Sequence, residues 1–217
     1  MARLLTRTHS VLNNFLAEMR SECDQGDPMR FRKNLERIGE CAALELSREL
    51  PYEPRHVVTP LGELDVPVLR EEDLVISSVL RAGLPLHKGL LNMFDRASSG
   101  FISAYRKYDD GNKFHIELEY ISSATVEGKT LILCDAMLAT GSSLVMAYQE
   151  ICRRFGKPRH THIVCAIAAR EGVEHLERAL GEKDVTLWLG AVDDALTAKA
   201  YVVPGLGDAG DLAYGEK

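Results

Sequence analysis

Leu131-Ile132-Leu133-Cys134-Asp135-Ala136-Met137-Leu138-Ala139-Thr140-Gly141-Ser142-Ser143 is an apolar run that meets an acid and then a small, hydroxyl-rich turn. The four apolar residues suit a buried parallel strand, and Leu144, Tyr148, Ile151 and Phe155 then recur at helical spacing, with Gly156 and Pro158 as the stop. The segment therefore predicts strand, loop and helix start. A helix start offers free backbone N–H groups and the positive end of the helix dipole, and Thr140, Ser142 and Ser143 add hydroxyl donors, so this loop suits a phosphate. Asp135, expected at the strand tip, needs another partner. A carboxylate beside a phosphate is repelled unless it accepts hydrogen bonds from sugar hydroxyls or faces a divalent cation, so the pair points to a phosphorylated sugar.

Outward from this stretch the chain repeats the pattern. Leu74 to Val79 reads as a central strand that ends in Leu80-Arg81-Ala82-Gly83-Leu84 before a helix carrying Leu86, Leu90, Leu91 and Phe94. Gly100 to Tyr105 is a second strand, running into Arg106 and Lys107 and a charged excursion, with alternation resuming over Phe114 to Tyr120. After the opening segment come a strand at His162 to Ala168, a helix near Gly172 to Leu180 and a strand at Val185 to Leu189. Strands alternating with helices of this length imply right-handed crossovers and a mostly parallel sheet covered on both faces, with its ligand crevice beyond the carboxyl ends of the strands. Arg81, Arg106 and Asp135 each follow a predicted strand, so the three charges should converge on one sheet edge. Convergence raises all three above solvated surface.

Before this α/β body, Val11 to Met19 and Pro28 to Leu50 read as an N-terminal helical layer, the second with Asp27 as N-cap and Pro28 at the first helical position. Arg55 to Thr59, Gly62 and Leu64 to Leu69 read as a hairpin suited to a dimer arm. At the other end, Ala200-Tyr201-Val202-Val203-Pro204-Gly205-Leu206-Gly207-Asp208-Ala209-Gly210-Asp211 is a short apolar strand that breaks into a loop with three glycines, a density that lets backbone approach a ligand closely. No internal repeat, linker or low-complexity tract divides the 217 residues, which predicts a single domain over 1–217.

The bulk numbers exclude several classes. A formal net charge of −6 argues against bulk electrostatic binding to nucleic acid or an anionic membrane. No apolar run approaches the roughly 20 residues of a membrane span, and the odd set of five cysteines, without a CxxC pair, fits reduced buried thiols in a cytoplasmic protein. Met1 to Arg20, free of acids until Glu18, also has the look of an organellar transit segment. HExxH, CxxC and GxSxG are missing, His160 and His162 lack a third ligand, and Gly205-Leu206-Gly207 lacks the strand-first context of a dinucleotide site. No metal ligands are expected from the protein itself.

Leu133 to Ser143 resembles the phosphoribosyl diphosphate (PRPP) signature of phosphoribosyltransferases in the uracil phosphoribosyltransferase form, and Tyr201 to Asp211 resembles that family's uracil loop. Val79 to Leu84 and Tyr105-Arg106-Lys107 match further landmarks in order, so the likeness runs from about His9 to Gly215. The resemblance implies the type I phosphoribosyltransferase fold, an α/β domain with an N-terminal helical layer, a β-hairpin arm and a C-terminal base-binding hood. It also implies transfer of the phosphoribosyl group of PRPP to uracil, giving UMP and diphosphate. Asp135 would hold the ribose hydroxyls, and Ala139, Thr140, Gly141, Ser142 and Ser143, reached through Ala136, Met137 and Leu138, would cradle the 5′-phosphate. Arg81, Arg106 and Asp208 would act on PRPP, with Asp135, Arg106 and Asp208 as the catalytic set. Tyr201, Val202, Gly207, Asp208 and Ala209 would receive uracil. Mg²⁺ would arrive with PRPP, a GTP effector and a homodimer or homotetramer are expected, and neither nucleic acid nor membrane is a partner. The chain departs from the family pattern at Ala136 (usually Pro), Ser142 (usually Gly), Thr197 (usually Asn) and Leu212 (usually Arg). Ser142 is tolerable there only at negative φ. The alternatives are a phosphoribosyltransferase-fold regulator that senses nucleotides and binds RNA, and the same chemistry on another base.

Overall fold

The computed structural model describes residues 2–108, 114–181 and 183–216, with side chains described outside 104–118. In chain order the elements are β1 (Ala2–Leu4), α1 (Val11–Arg20), α2 (Pro28–Ser47), β2 (Tyr52–Thr59), β3 (Gly62–Leu69), β4 (Leu74–Leu80), α3 (Gly83–Met93), β5 (Ser98–Tyr108), β6 (Phe114–Ser122), β7 (Thr130–Leu138), α4 (Ser142–Phe155), β8 (His160–Ala169), α5 (Arg170–Leu180), β9 (Val185–Asp193), β10 (Ala195–Leu196), β11 (Val202–Val203) and α6 (Ala209–Tyr214).

The helices start and stop where local chemistry dictates. Ser10 and Asn13 form a capping box at α1, and the Asp27 carboxylate accepts from the N–H groups of Met29 and Arg30 at 2.9 and 3.1 Å ahead of Pro28. Gly156, at φ 97°, ends α4.

Seven strands make the main sheet in the order β1-β9-β8-β7-β4-β5-β6, parallel throughout except at the β5–β6 edge. Alternation along the strands divides the core in two. Ile76, Ile132, Cys134, Val164 and Trp188 pack with Leu16, Leu35 and Leu86 of the α1–α3 layer. Val75, Leu131, Leu133, Ile163 and Leu187 pack on the other face with Leu144, Ile151 and Leu176 of α4 and α5. Both faces being covered is why these strands read as unbroken apolar runs. Within the helical layer α2 and α3 touch backbone to backbone, since a side chain at Gly89 would collide with the Glu36 carbonyl.

The mostly parallel α/β architecture, the N-terminal helical layer and the paired β2–β3 hairpin agree with the sequence reading. Several features differ. Ala2–Leu4 adds an edge strand beside β9, and Leu12, Leu16 and Met19 of α1 are buried. A short helix, α6, forms after the uracil-loop-like stretch. Asp135 is not at a strand tip: β7 continues, with Asp135 opposite Cys165 and Leu138 opposite Ala168, because β8 stays apolar to Ala169 and keeps supplying ladder partners. Arg106 likewise lies inside β5, opposite Ile116, leaving Arg81 as the one charge of the three that directly follows its strand. All five cysteines are free, Cys134 and Cys165 buried and Cys23 exposed rather than buried. Among the described residues no helix is long and apolar enough to cross a membrane.

Candidate active site

β7 carries Asp135 into the sheet's carboxyl edge, and α3 brings the neighbouring turn against it. The first residue of α3, Gly83, lies so close to β7 that an added Cβ would sit 3.1 Å from the Cys134 carbonyl and 3.4 Å from the Asp135 Cα. That contact sets the Arg81-Ala82 turn, which follows a cis Leu80–Arg81 peptide, beside the acid. From above, Tyr201 to Gly210 folds over the same edge. The result is a cleft of about 530 Å³ whose floor is Asp135, whose wall is the start of α4 and whose roof is the C-terminal segment.

The turn into α4 explains its own composition. Gly141 takes φ 82° and Ser142 is the first helical residue, so the left-handed position falls on glycine and the expected Ser142 departure costs nothing in backbone strain. No side chain caps α4. Thr140 Oγ1 donates to Ser142 Oγ at 3.2 Å and accepts from the Ser142 N–H at 3.4 Å, while Thr140 and Ser143 line the cleft. The other amides of the first turn are left for an anion.

Asp135 is half-buried. Burial pushes its carboxyl up to about 7, against hydrogen bonds from the Met137 and Ala136 backbone that favour the charged form. A carboxylate poised at this value binds hydroxyl donors readily and is sensitive to pH near neutrality.

Arg81 spans the cleft. Its Nη2 lies 3.1 Å from Asp211 Oδ1, its Nη1 donates to the Gly215 carbonyl at 3.3 Å, and its buried Nε has no partner among the described residues. Asp208 is the N-cap of α6, accepting from the N–H groups of Gly210 and Asp211 at 2.9 and 3.1 Å, and its other oxygen lies 3.5 Å from the Tyr201 hydroxyl. Below Tyr201, Thr197 closes the turn of the roof: its N–H donates to the Tyr201 carbonyl at 2.8 Å and its hydroxyl accepts from the Tyr201 N–H at 3.1 Å. Leu212, partly buried, packs against the α1–α3 side of the core.

Of the residues singled out in the sequence, the cleft is lined by Arg81, Asp135, Met137, Leu138, Ala139, Thr140, Gly141, Ser143, Tyr201, Val202, Gly207, Asp208 and Ala209. Ala136 is fully buried on the helical-layer side of β7, and neither it nor Ser142 lines the cleft. The Arg106 side chain lies outside the described residues. Asp211 enters the sequence reading only as the end of the uracil-loop-like stretch and not as the partner of Arg81, although Asp208-Ala209-Gly210-Asp211 before Leu212 and Ala213 carries the acid cap of a helix start that would have located α6. His162 is buried and His160 half-buried: their rings meet edge to face at 4.8 Å, and His162 Nδ1 accepts from the Trp188 indole at 3.0 Å.

The family model described as uracil phosphoribosyltransferase matches residues 6–216. A curated relative from Porphyromonas gingivalis, named uracil phosphoribosyltransferase, is 47% identical over 209 residues, covering 96% of this chain and 95% of its own length. A relative of the same name from Thermococcus kodakarensis is 36% identical over 203 residues, covering 93% and 85%. Among solved structures, the AQ2163 protein from Aquifex aeolicus superimposes with a TM-score of 0.88 at 31% identity, covering 99% of this chain and 98% of that one.

Proposed function

The chain belongs to the uracil phosphoribosyltransferase family, and on that premise we propose that it transfers the 5-phosphoribosyl group of PRPP to uracil, forming UMP and diphosphate, as one domain over residues 1–217. The observation that carries this reading is the shared cleft: a helix-start loop with an acid beneath it faces the glycine-rich C-terminal segment across about 530 Å³.

In this reading Asp135 accepts hydrogen bonds from the ribose hydroxyls, and the 5′-phosphate lies on the amides at the start of α4 with the Thr140 and Ser143 hydroxyls. Arg81, from the cleft lining, and Arg106 meet the diphosphate. The backbone of Val202 and of Gly207 to Ala209 reads the donor and acceptor edges of uracil, with Tyr201 alongside. The C1′–O bond to diphosphate breaks and its electron pair leaves with the diphosphate; the uracil N1–C1′ bond forms and the N1 proton passes to solvent. C1′ takes oxocarbenium character on the way, as in glycoside cleavage. No covalent nucleophile is needed, so the residues act by alignment and by stabilising charge on the leaving group. Mg²⁺ bound to the diphosphate would neutralise that charge; Asp135 and Asp208 are the carboxylates that the cleft lining offers it.

The β2–β3 hairpin supports a homo-oligomer. It forms its own two-stranded sheet and exposes Val58 and Leu61, the latter completely, an apolar tip suited to a second copy of the chain. Five free cysteines support a reducing compartment, which fits the cytoplasm.

Purified protein incubated with uracil, PRPP and Mg²⁺ should yield UMP and diphosphate in equal amounts by chromatography. Tight RNA binding without UMP would favour the regulator reading instead. Arg106→Ala should raise the KM for PRPP about tenfold, as expected for one lost charge-assisted contact of roughly 1.4 kcal/mol, with the uracil KM little changed. A normal PRPP KM in that variant would assign Arg106 to solvated surface.

A further inference from the structure

The roof of the cleft consists of two runs that line it, Ala200 to Val202 and Gly207 to Gly210, separated by Val203 to Leu206, which do not. What holds that separating segment lies outside the cleft. Asp193, the last residue of β9, is 8% exposed, and it takes both ends of the Arg20 guanidinium: Nη1 donates to Oδ2 and Nη2 to Oδ1, each at 2.8 Å. The Gly205 N–H donates to the same Asp193 Oδ2 at 2.8 Å, and Arg20 Nη1 also donates to the Gly205 carbonyl at 2.9 Å. Both polar groups of the Gly205 backbone are therefore claimed by one ion pair that joins the end of α1 to the end of β9. With its amide oriented to donate, Gln25 adds a bond of 2.8 Å to the carbonyl of Leu206, the next residue.

Such a pair has more to do than stabilise. A bidentate arginine–carboxylate contact fixes direction as well as distance, and its burial would bring little net stability over an apolar replacement. Burial works to raise the Asp193 carboxyl, yet the bonds from Arg20 and Gly205 hold it below the ordinary carboxylate range, so the pair stays charged. The β10–β11 ladder holds the first lining run from one side and the Asp208 cap of α6 holds the second from the other. Past Val203, where the ladder ends, Pro204 to Leu206 have no backbone ladder among the described residues. We infer that Arg20 and Asp193 are positioning residues for the base half of the site, setting the height of the backbone groups that face the base above the phosphate loop, a role that rests on the uracil-transfer reading above. Neither residue lines the cleft. Their effect must pass through Gly205, and a displacement there moves Val202 and Gly207 without touching Asp135 or the start of α4.

The test is steady-state kinetics of Asp193→Asn and Arg20→Lys beside the unaltered protein, with thermal melting of each. Asp193→Asn can still accept from the Gly205 N–H but loses the fork with Arg20. Expected is a rise of tenfold or more in the KM for uracil, a PRPP KM within twofold of normal and a folded protein, with Arg20→Lys intermediate because a single ammonium keeps part of the contact. Equal changes in both KM values, or a normal uracil KM in folded variants, would overturn the positioning role. Should Asp193→Asn fail to fold, Arg20→Lys alone decides by the same split. An unaltered protein that makes no UMP would instead defeat the uracil-transfer reading itself, so the two failures are distinguishable.

Discussion

Asp135→Asn is expected to lower kcat by about 10²-fold, the usual cost of removing one preorganised transition-state contact, while leaving the fold intact. Asparagine is nearly isosteric with aspartate, and Asp135 sits within the β7 ladder opposite Cys165, so packing is preserved and only the charge is lost. The same variant isolates the titration. Because burial raises the Asp135 carboxyl to about 7, the carboxylate form needed to accept ribose hydroxyls is incomplete below neutrality. The kcat/KM for PRPP, which reports the free enzyme, should therefore climb as pH rises through about 7, and Asp135→Asn should flatten that limb. Linkage gives the opposite slope for stability. A carboxyl that holds its proton more tightly when folded than its ordinary 3.8 makes the ligand-free fold less stable as pH rises from about 4 to about 7, and the asparagine variant should lack this decline. An unchanged kcat would remove Asp135 from the site.

Gly207→Val should block uracil and spare PRPP. Gly207 holds φ 92° in the cleft roof, a conformation that a β-branched residue adopts only with strain of about 1 to 3 kcal/mol. The nearest atom to an added Cβ is Leu212 Cδ1 at 3.9 Å, so backbone strain and not crowding is what displaces the segment. The KM for uracil should rise at least about tenfold, on the same 1.4 kcal/mol arithmetic, and calorimetric PRPP binding should stay within twofold. Loss of PRPP binding with normal uracil kinetics would reverse the roles given to the two halves of the cleft.

How far the sequence foretells this molecule depends on whether a feature is local. Asp27-Pro28, the Gly156 stop and the apolar runs of β4, β7 and β8 announce themselves, because caps, stops and two-sided burial act over a few residues. The length of β7 does not, since Asp135 stays in the ladder only through the apolar partners that β8 supplies across the sheet. Ala136 and Ser142, which the resemblance places in the site, do not line the cleft: strand alternation buries the first, and the second is the opening residue of α4. Arg20 and Asp193 lie 173 residues apart, and nothing in either neighbourhood signals that β9 and α1 end at the same point. Arg81 was legible as a strand-end cation, whereas its Asp211 partner depends on α6 folding back over the cleft.

A crystal structure with UMP bound interrogates both halves of the site with one ligand. The 5′-phosphate should rest on the amides at the start of α4, the ribose hydroxyls within hydrogen-bond distance of Asp135, and the uracil ring beneath the backbone of Val202 and Gly207 to Ala209. A phosphate bound away from Thr140 to Ser143, or a base turned out from under that roof, would contradict the assignment of sugar phosphate to one half and base to the other.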